Sequence, residues 1–302
     1  MLLSILIPIY NHDSSALIDE LCRQARQLQT EWQLIAIEDG SKEHVGENKA
    51  VCHRNDVEHI TLDKNIGRSA IRNLLASKAC GEWLIFLDCD MIVENPDFVE
   101  NYLNEAQKAS NDTIICGGPT YWPFDKYEEK YRLHWTVGSH REPVSTRLQN
   151  KNCQMTLLSS NFMVRKETFD AVKFDETLTG YGHEDTLFGI EHIRKGGKFK
   201  YIDNAAIHTG LDETTRFIEK TKEALHNLMK LYNEKLDAQG KLSIKLITFA
   251  ERLRKWHMMW IVRLSSYIAL PIIECNLKSK HPSLFLFDIY KIMTIGRLYN
   301  RQ

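Results

Sequence analysis

Two carboxylates one residue apart, Asp88 and Asp90, end the apolar run Trp83-Leu84-Ile85-Phe86-Leu87. Such a short, aromatic, unalternating run reads as a strand buried on both faces. Its end is where side chains regain water, and ligands of open parallel sheets bind beyond the carboxyl ends of strands. Residues two apart on a strand point to the same side. Two hard oxygen anions there suit a divalent cation such as Mg²⁺ or Mn²⁺, which in turn holds phosphates. The alternative is an Asp-rich turn after a strand, with Asp90 capping something local.

Other polar clusters also follow apolar runs: Glu38-Asp39-Gly40-Ser41, Asn65 through Arg72, and Gly182-His183-Glu184-Asp185. In a parallel sheet such positions gather on one edge, where a nucleotide lies. Asp39 can accept a hydrogen bond from a base N–H or a ribose hydroxyl, or simply form the turn before Gly40. Arg68 and Arg72 sit near a helix N-terminus, where guanidinium forks and free N–H groups suit a base carbonyl or a diphosphate. Arg72 serves equally well in an internal ion pair. Asp185, just inside a helix start, can take a proton from an attacking hydroxyl or complement the helix dipole.

The elements that must position these residues follow from pattern. Strands are expected at 2–9, 33–38, 57–62, 83–87, 113–117 and 157–165, with a last short strand pair within 200–207. Helices are expected at 16–28, from 65 to 79, at 96–109 and at 184–195. Strands alternating with helices in short units give an α/β fold with a doubly wound, mostly parallel, Rossmann-like sheet. Regularity lapses between 119 and 155, where Tyr121, Trp122, Phe124, Tyr127, Tyr131 and Trp135 fall, with one helix expected near 126–135. This excursion is either a wall for a sugar-like acceptor or a satellite hydrophobic cluster.

In order along the chain, six motifs resemble glycosyltransferase family 2. They are Ile7-Pro8-Ile9-Tyr10-Asn11, Glu38-Asp39-Gly40-Ser41, Asn65-x-Gly67-Arg68-x-x-x-Arg72-Asn73, Asp88-x-Asp90, Ser160-Asn161-Phe162-x-x-Arg165 and Glu184-Asp185. The resemblance covers roughly the first 210 residues and implies a GT-A fold. It implies a nucleotide-sugar half at about 1–118, an acceptor half at about 119–210 and, outside the resemblance, a helical extension at 211–302. The implied enzyme is cytoplasmic, metal-dependent and inverting. It moves a hexosyl or N-acetylhexosaminyl group from a UDP-sugar to a hydroxyl of a glycan or lipid-linked acceptor, in bacterial surface polysaccharide synthesis.

Roles carry over residue by residue. Asp39 contacts the base, usually uracil; Pro8, Tyr10 and Asn11 line the nucleotide pocket with Asn65, Gly67, Arg68 and Arg72. Asp88 touches ribose or sugar. Asp90 coordinates Mn²⁺ or Mg²⁺, with His208 as a further ligand in some relatives or else a structural histidine. Asp185, beside Glu184, is the catalytic base. Asn161, Arg165 and Trp122 fall on the acceptor side, the rival for Asn161 and Arg165 being buried polar groups satisfied internally. Glu38 stands where many relatives carry Asp, and leaves Asp39 in place.

The totals are consistent with a soluble protein. Of 302 residues, 43% are hydrophobic and 26% charged. The net charge of -1 conceals segregation, because residues 241–302 hold 11 Lys or Arg against 3 Asp or Glu. Within them Leu246, Phe249, Leu253, Trp256, Trp260, Leu264 and Tyr267 form one stripe of a long helix starting near 243. A basic helix with an aromatic stripe suits an anionic membrane surface on the inner face of the cell membrane, or packing on the catalytic domain or in a homodimer. No secretory leader, spanning stretch or nucleic-acid partner is expected. Seven cysteines without a Cys-x-x-Cys read as reduced, buried thiols.

Two rivals remain. A nucleotidyltransferase would carry a Gly-rich, basic loop after the first strand, where this chain has Tyr10-Asn11-His12-Asp13. A non-catalytic sugar-nucleotide-binding scaffold would have no need of Asp88, Asp90 and Asp185 together.

Overall fold

Alternation along the strands builds the fold. In a computed structural model, which describes residues 2–142, 157–178, 180–236 and 244–299, Leu3, Ile5, Ile7 and Ile9 enter one core and Leu6 the other. Trp83, Ile85 and Leu87 likewise face the first core, and Leu84 and Phe86 the second. A strand buried on both faces needs a layer of helices on each.

The chain divides into two compact units, Met1–Tyr121 with Arg141–Thr179 and Glu184–Gly210, and Trp122–His140 with Gly180–His183 and Leu211–Gln302. The strands are β1 (Leu2–Ile9), β2 (Glu31–Glu38), β3 (Glu58–Thr61), β4 (Trp83–Leu87), β5 (Met91–Ile92), β6 (Thr113–Cys116), β7 (Pro119–Thr120), β8 (Asn161–Arg165), β9 (Lys198–Tyr201) and β10 (Ala206–His208). Seven pair in the order β3-β2-β1-β4-β8-β6-β9, and a small sheet runs β5-β10-β7. The large sheet is parallel except at β8, which is antiparallel to β4 and β6. The helices are α1 (Ser15–Ala25), α2 (Val45–Asn55), α3 (Arg68–Lys78), α4 (Phe98–Ala106), α5 (Arg132–Arg141), α6 (Lys166–Val172), α7 (Glu184–Arg194), α8 (Thr214–Glu234), α9 (Lys245–Lys255), α10 (Met259–Leu277) and α11 (Leu284–Leu298).

Under the sheet Phe86 stacks on Phe162 at 4.8 Å and on Phe169 at 5.0 Å. Truncating such a ring to Ala costs about 3–5 kcal/mol. Helices α2 and α6 were not legible in the sequence. In α2 two of the four buried residues are asparagines, Asn48 and Asn55, so its apolar period is weak. The strand expected at 157–165 begins only at Asn161.

Two acceptor-side expectations are corrected here. Asn161 is fully buried, accepts from Tyr102 Oη at 2.6 Å, and donates at 2.9 Å to the Gly118 and Asn204 carbonyls. Its amide is consumed in holding the interior. Arg165 pairs with Trp83 at the start of β4, so it lies at the opposite end of the strand from Asp88, bound to Glu82 at 2.6 Å.

In the second unit, Trp122 offers its carbonyl to Trp135 Nε1 at 2.9 Å, and Arg132 lies 3.3 Å over the Phe124 ring. His134 stacks on Phe217 at 4.4 Å. Residues 122–140, expected in the catalytic region, thus form an aromatic cluster of this unit. The remainder of the irregular excursion beyond 142, Cys153 and the helix start at 243 lie outside the described residues. The single long helix expected from 243 is broken. His257 adopts φ 56°, with Met258 N–H bonded to the Leu253 carbonyl and His257 N–H to that of Arg254. This is a Schellman cap with histidine in the place usually held by glycine, and α9 and α10 meet at 114°. Pro271 lies inside α10 and does not end it. Among the described residues six cysteines are free; Cys22, Cys52 and Cys116 are buried, whereas Cys80 and Cys275 are exposed, against expectation.

Replacing Asn161 by Leu, similar in volume, should lower stability by about 2–4 kcal/mol in urea titration, because three buried partners lose their bonds. An unchanged midpoint would return Asn161 to the list of candidate ligand-binding groups.

Candidate active site

The parallel strands β1 and β2 end side by side, with Ile9 opposite Glu38. The loops beyond them are stapled together. Asn11, at φ 49°, donates its N–H to Ser41 Oγ at 3.0 Å, and its Oδ1 accepts from Lys42 N at 2.6 Å. Asn48 on α2 accepts from Ser14 N at 2.8 Å and donates to the His12 carbonyl at 2.8 Å and Glu38 Oε1 at 2.9 Å. Glu38 is fully buried. Burial would raise its carboxyl, but His59, 3.5 Å from Oε1, and after it Ser41 and the Asn48 bond outweigh it and hold the group below its ordinary value. Pro8 ends this strand pair half-buried, and the Tyr10 ring stands 53% exposed, free to face a planar ligand.

Asp39 accepts from the backbone N–H of Ile66 at 2.7 Å and of Gly67 at 3.2 Å, while Asn65 Nδ2 donates to the Asp39 carbonyl at 3.1 Å. Burial pushes its carboxyl up and those two bonds pull it back only in part. Each carboxylate oxygen retains acceptor capacity for a further donor. The contact requires glycine at position 40. Gly40 has φ +72°, and a Cβ there would lie 2.3 Å from Asn65 N.

Gly67 hands the chain to α3, whose arginines face the other carboxylates. Arg72, 2% exposed, gives Nη2 to Asp88 Oδ1 at 2.5 Å and Nη1 to the Arg68 carbonyl at 3.1 Å. The internal ion pair is therefore the arrangement Arg72 adopts. Exposed Arg68 points Nη1 to within 3.9 Å of Glu184 Oε1.

Asp90 and His208 stand across the β5–β10 pair, Oδ2 to Nε2 at 3.3 Å. Burial raises the Asp90 carboxyl, but His208 first, then His12 and Arg68, hold it well below the carboxylate range. Burial likewise lowers His208, and Asp90 more than reverses it. Thr209 N–H and Oγ1 bind the Asp90 carbonyl at 3.0 and 2.8 Å. A Cβ on Gly210 would meet Asp90 Oδ2 at 2.1 Å, so glycine there is what lets the carboxylate lie in this cradle. Behind His208, Tyr121 Oη donates to Glu142 and stands 3.2 Å from His208 Nδ1. A hydroxyl whose proton is given to Glu142 can only accept from Nδ1–H, which leaves Nε2 turned toward Asp90. Tyr121 and Glu142 were not singled out for this place in the sequence; Gly210, two residues after His208, was the one available signal.

Asp185 opens α7, half-buried, and accepts from Thr186 N at 2.6 Å. Burial, and after it the Glu184 carboxylate, push its carboxyl up to about 7, with Arg72 among the groups that oppose them. Arg68 thus acts on Glu184 and on Asp90, and Arg72 on Asp88 and on Asp185. Asp39, Asp88, Asp90 and Asp185 are gathered at the edge where β1, β2 and β4 end, Asp39 through its bond to the residue before Arg68. Asn161 and Arg165 are not brought to this cluster as side chains facing it, and Trp122 belongs to the second unit.

A match to the family described as glycosyl transferase family 2 spans residues 4–172. The chain belongs to this family. Asp185 and His208 lie beyond the matched stretch. A chondroitin synthase of Escherichia coli is 27% identical over 236 residues, 67% of this chain. The chain spans only about a third of that relative, 34% of its length. Among solved structures, the mannosyltransferase PcManGT of Pyrobaculum calidifontis, in complex with GDP-Man and Mn²⁺, gives a TM-score of 0.61 at 12% identity, covering 99% of this chain and 88% of that one. Glucosyl-3-phosphoglycerate synthase of Mycobacterium tuberculosis, with Mn²⁺, UDP and glucosyl-3-phosphoglycerate, gives 0.53 at 15% identity over 76% and 78%. At such identities they attest the fold alone, and the fold of this family 2 chain is GT-A, with helices following it.

The raised Asp185 carboxyl fixes the sign of a pH effect. A group that binds its proton more tightly when folded contributes stability in full below its unfolded value. That contribution is lost as pH rises through the folded value. From the ordinary 3.8 to about 7, wild type should therefore lose thermal stability relative to Asp185→Asn. Parallel melting temperatures for the two proteins across this window would show that Asp185 is not so perturbed.

Proposed function

We propose that this family 2 chain is an inverting, metal-dependent transferase that moves a sugar from a nucleotide-diphosphate sugar, a UDP-sugar by preference, to a hydroxyl of a glycan or lipid-linked acceptor. The observation that carries the reading is the gathering of Asp39, Asp88, Asp90 and Asp185 around two arginines at one sheet edge. Glycan transfer is supported by the polysaccharide synthase among the relatives, and a uridine donor by a UDP-bound neighbour of the same fold. No observation favours the nucleotidyltransferase or scaffold alternatives.

In this reading the base and ribose meet the Tyr10 ring and Asp39, whose remaining lone pairs accept from a base N–H. Arg68, exposed beside Gly67, reaches the diphosphate as a bidentate donor. Asp185 accepts the proton of the acceptor hydroxyl as that oxygen attacks the anomeric carbon from the face opposite the leaving diphosphate, which inverts the centre. A carboxyl raised toward neutrality suits a general base at physiological pH.

The donor set fits a hard divalent cation. Asp90 offers a carboxylate kept ionised, His208 an imidazole nitrogen turned toward it, and Gly210 leaves the room. Among the described residues no three His, Cys, Asp or Glu side chains converge. Two protein donors suit a cation that keeps waters and takes the remaining bonds from substrate phosphates. Mn²⁺ or Mg²⁺ held by Asp90 and His208 would offset charge developing on the diphosphate.

Three outcomes test the assignment. Asp185→Asn should reduce transfer by about 10²–10⁴-fold while leaving the calorimetric Kd for UDP with Mn²⁺ nearly unchanged; wild-type turnover would remove Asp185 as the base. The wild-type kcat/KM should rise with pH until about 7, as that carboxyl ionises. Tyr121→Phe, which frees His208 to change tautomer, should weaken Mn²⁺ binding measured by electron paramagnetic resonance in the presence of UDP by about 10-fold or more. Equal Mn²⁺ affinities would show that Tyr121 does not orient the ligand.

A further inference from the structure

We propose that the outward face of α10 binds the surface of an anionic membrane, with the helix lying in the interfacial plane. The inference concerns the second unit alone and stands apart from the transferase reading. Helix α10 buries Leu270, Ile273 and Leu277 in the unit's own core. Its other side is apolar too. Trp260 is 62% exposed, Leu264 65%, Tyr267 60%, Ile268 75% and Ile272 67%. On a helix turning 100° per residue these positions fall within one sector, with no charged residue among them. From Trp260 to Ile272 this face runs for about 18 Å along α10. A surface helix ordinarily keeps the side opposite its core polar, and α10 does not. A patch of this size exceeds the scattered apolar exposure of ordinary surfaces.

Charge selects the occupant. From 241 to the end of the chain, 11 Lys or Arg stand against 3 Asp or Glu. Each of those acids is already engaged: Glu251 by Arg254, Glu274 by Lys222, and Asp288 by Lys291. Among the described residues Arg252, Arg254, Lys255, Lys278 and Lys280 are exposed. Arg252, Arg254 and Lys255 precede the apolar face, and Lys278 and Lys280 follow it. Two copies meeting through this face would oppose like charge to like charge, whereas anionic headgroups complement it. Exposed Trp256 on the preceding turn joins Trp260 and Tyr267, the side chains that settle at headgroup depth. Among the described residues no single helix is long and apolar enough to cross a membrane. A helix with one side in the core, an exposed apolar face on the other and a basic rim at both ends has the form of an interfacial helix.

The test uses the full chain and phosphatidylcholine vesicles with and without phosphatidylglycerol. Wild type should co-sediment with the anionic vesicles, show a blue shift of tryptophan emission, and be released by salt. Leu264→Glu with Ile268→Glu alters only exposed positions, so the melting temperature should hold while partitioning falls by about tenfold or more. Arg252→Glu with Lys255→Glu should weaken binding to anionic vesicles without changing that to phosphatidylcholine. Equal partitioning to both vesicle types, or none to either, overturns the proposal. So does a doubled mass in light scattering that the Leu264 and Ile268 substitutions abolish, which would assign the face to a second copy. UDP binding on the same preparations should be unchanged, so failure here and failure of the transferase reading remain separable.

Discussion

A buried guanidinium must be answered by a carboxylate, and the first unit is arranged around that requirement. Arg72 is 2% exposed and bonded to Asp88 at 2.5 Å. Removing one partner of such a pair leaves an uncompensated interior charge at a cost of about 3–5 kcal/mol. The pair therefore ties the end of β4 to the first turns of α3. Arg68, one turn earlier, extends the same positive region toward Glu184 and Asp90. Carboxylates from distant segments can approach one another at one rim because these two arginines stand between them.

The same arrangement separates the carboxylates chemically. Asp185 is pushed up to about 7 by burial and by Glu184, while His208 holds Asp90 ionised against its burial. Two acids on one rim whose environments drive them in opposite directions are suited to different tasks. The difference comes from neighbours supplied by α3, α7 and β10, not from the acids themselves.

Asparagines do the positioning. Asn11 and Asn48 hold the loop after β1 against the loop after β2, Asn65 holds the loop before α3 to Asp39, and Asn161 holds the segments after β6 and β9 to β8. An amide that both donates and accepts can satisfy two backbone groups at once, which irregular loops near a ligand need most. In the sequence Asn11, Asn65 and Asn161 look like ligand-binding candidates, because polar side chains beside a sheet edge carry the same signature whether they face a ligand or the backbone.

The sequence by itself determined the α/β class, the strand ends that carry Asp39, Asp88 and Asp90, and the family to which the chain belongs, because buried strands leave uninterrupted apolar runs and turn residues mark where they stop. Tertiary structure alone decided the rest. The reversed direction of β8 depends on how its connection runs, and its composition is that of any buried strand. Helix α2 is held by Asn48 and Asn55 rather than an apolar stripe, so periodicity could not show it. The break at His257 uses a left-handed residue that is not glycine, and the local signal for a helix end was absent. Whether Arg72 met a ligand or Asp88, and whether Asn161 faced a sugar or Tyr102, depended on packing partners 16 and 59 residues away along the chain, which no local pattern encodes.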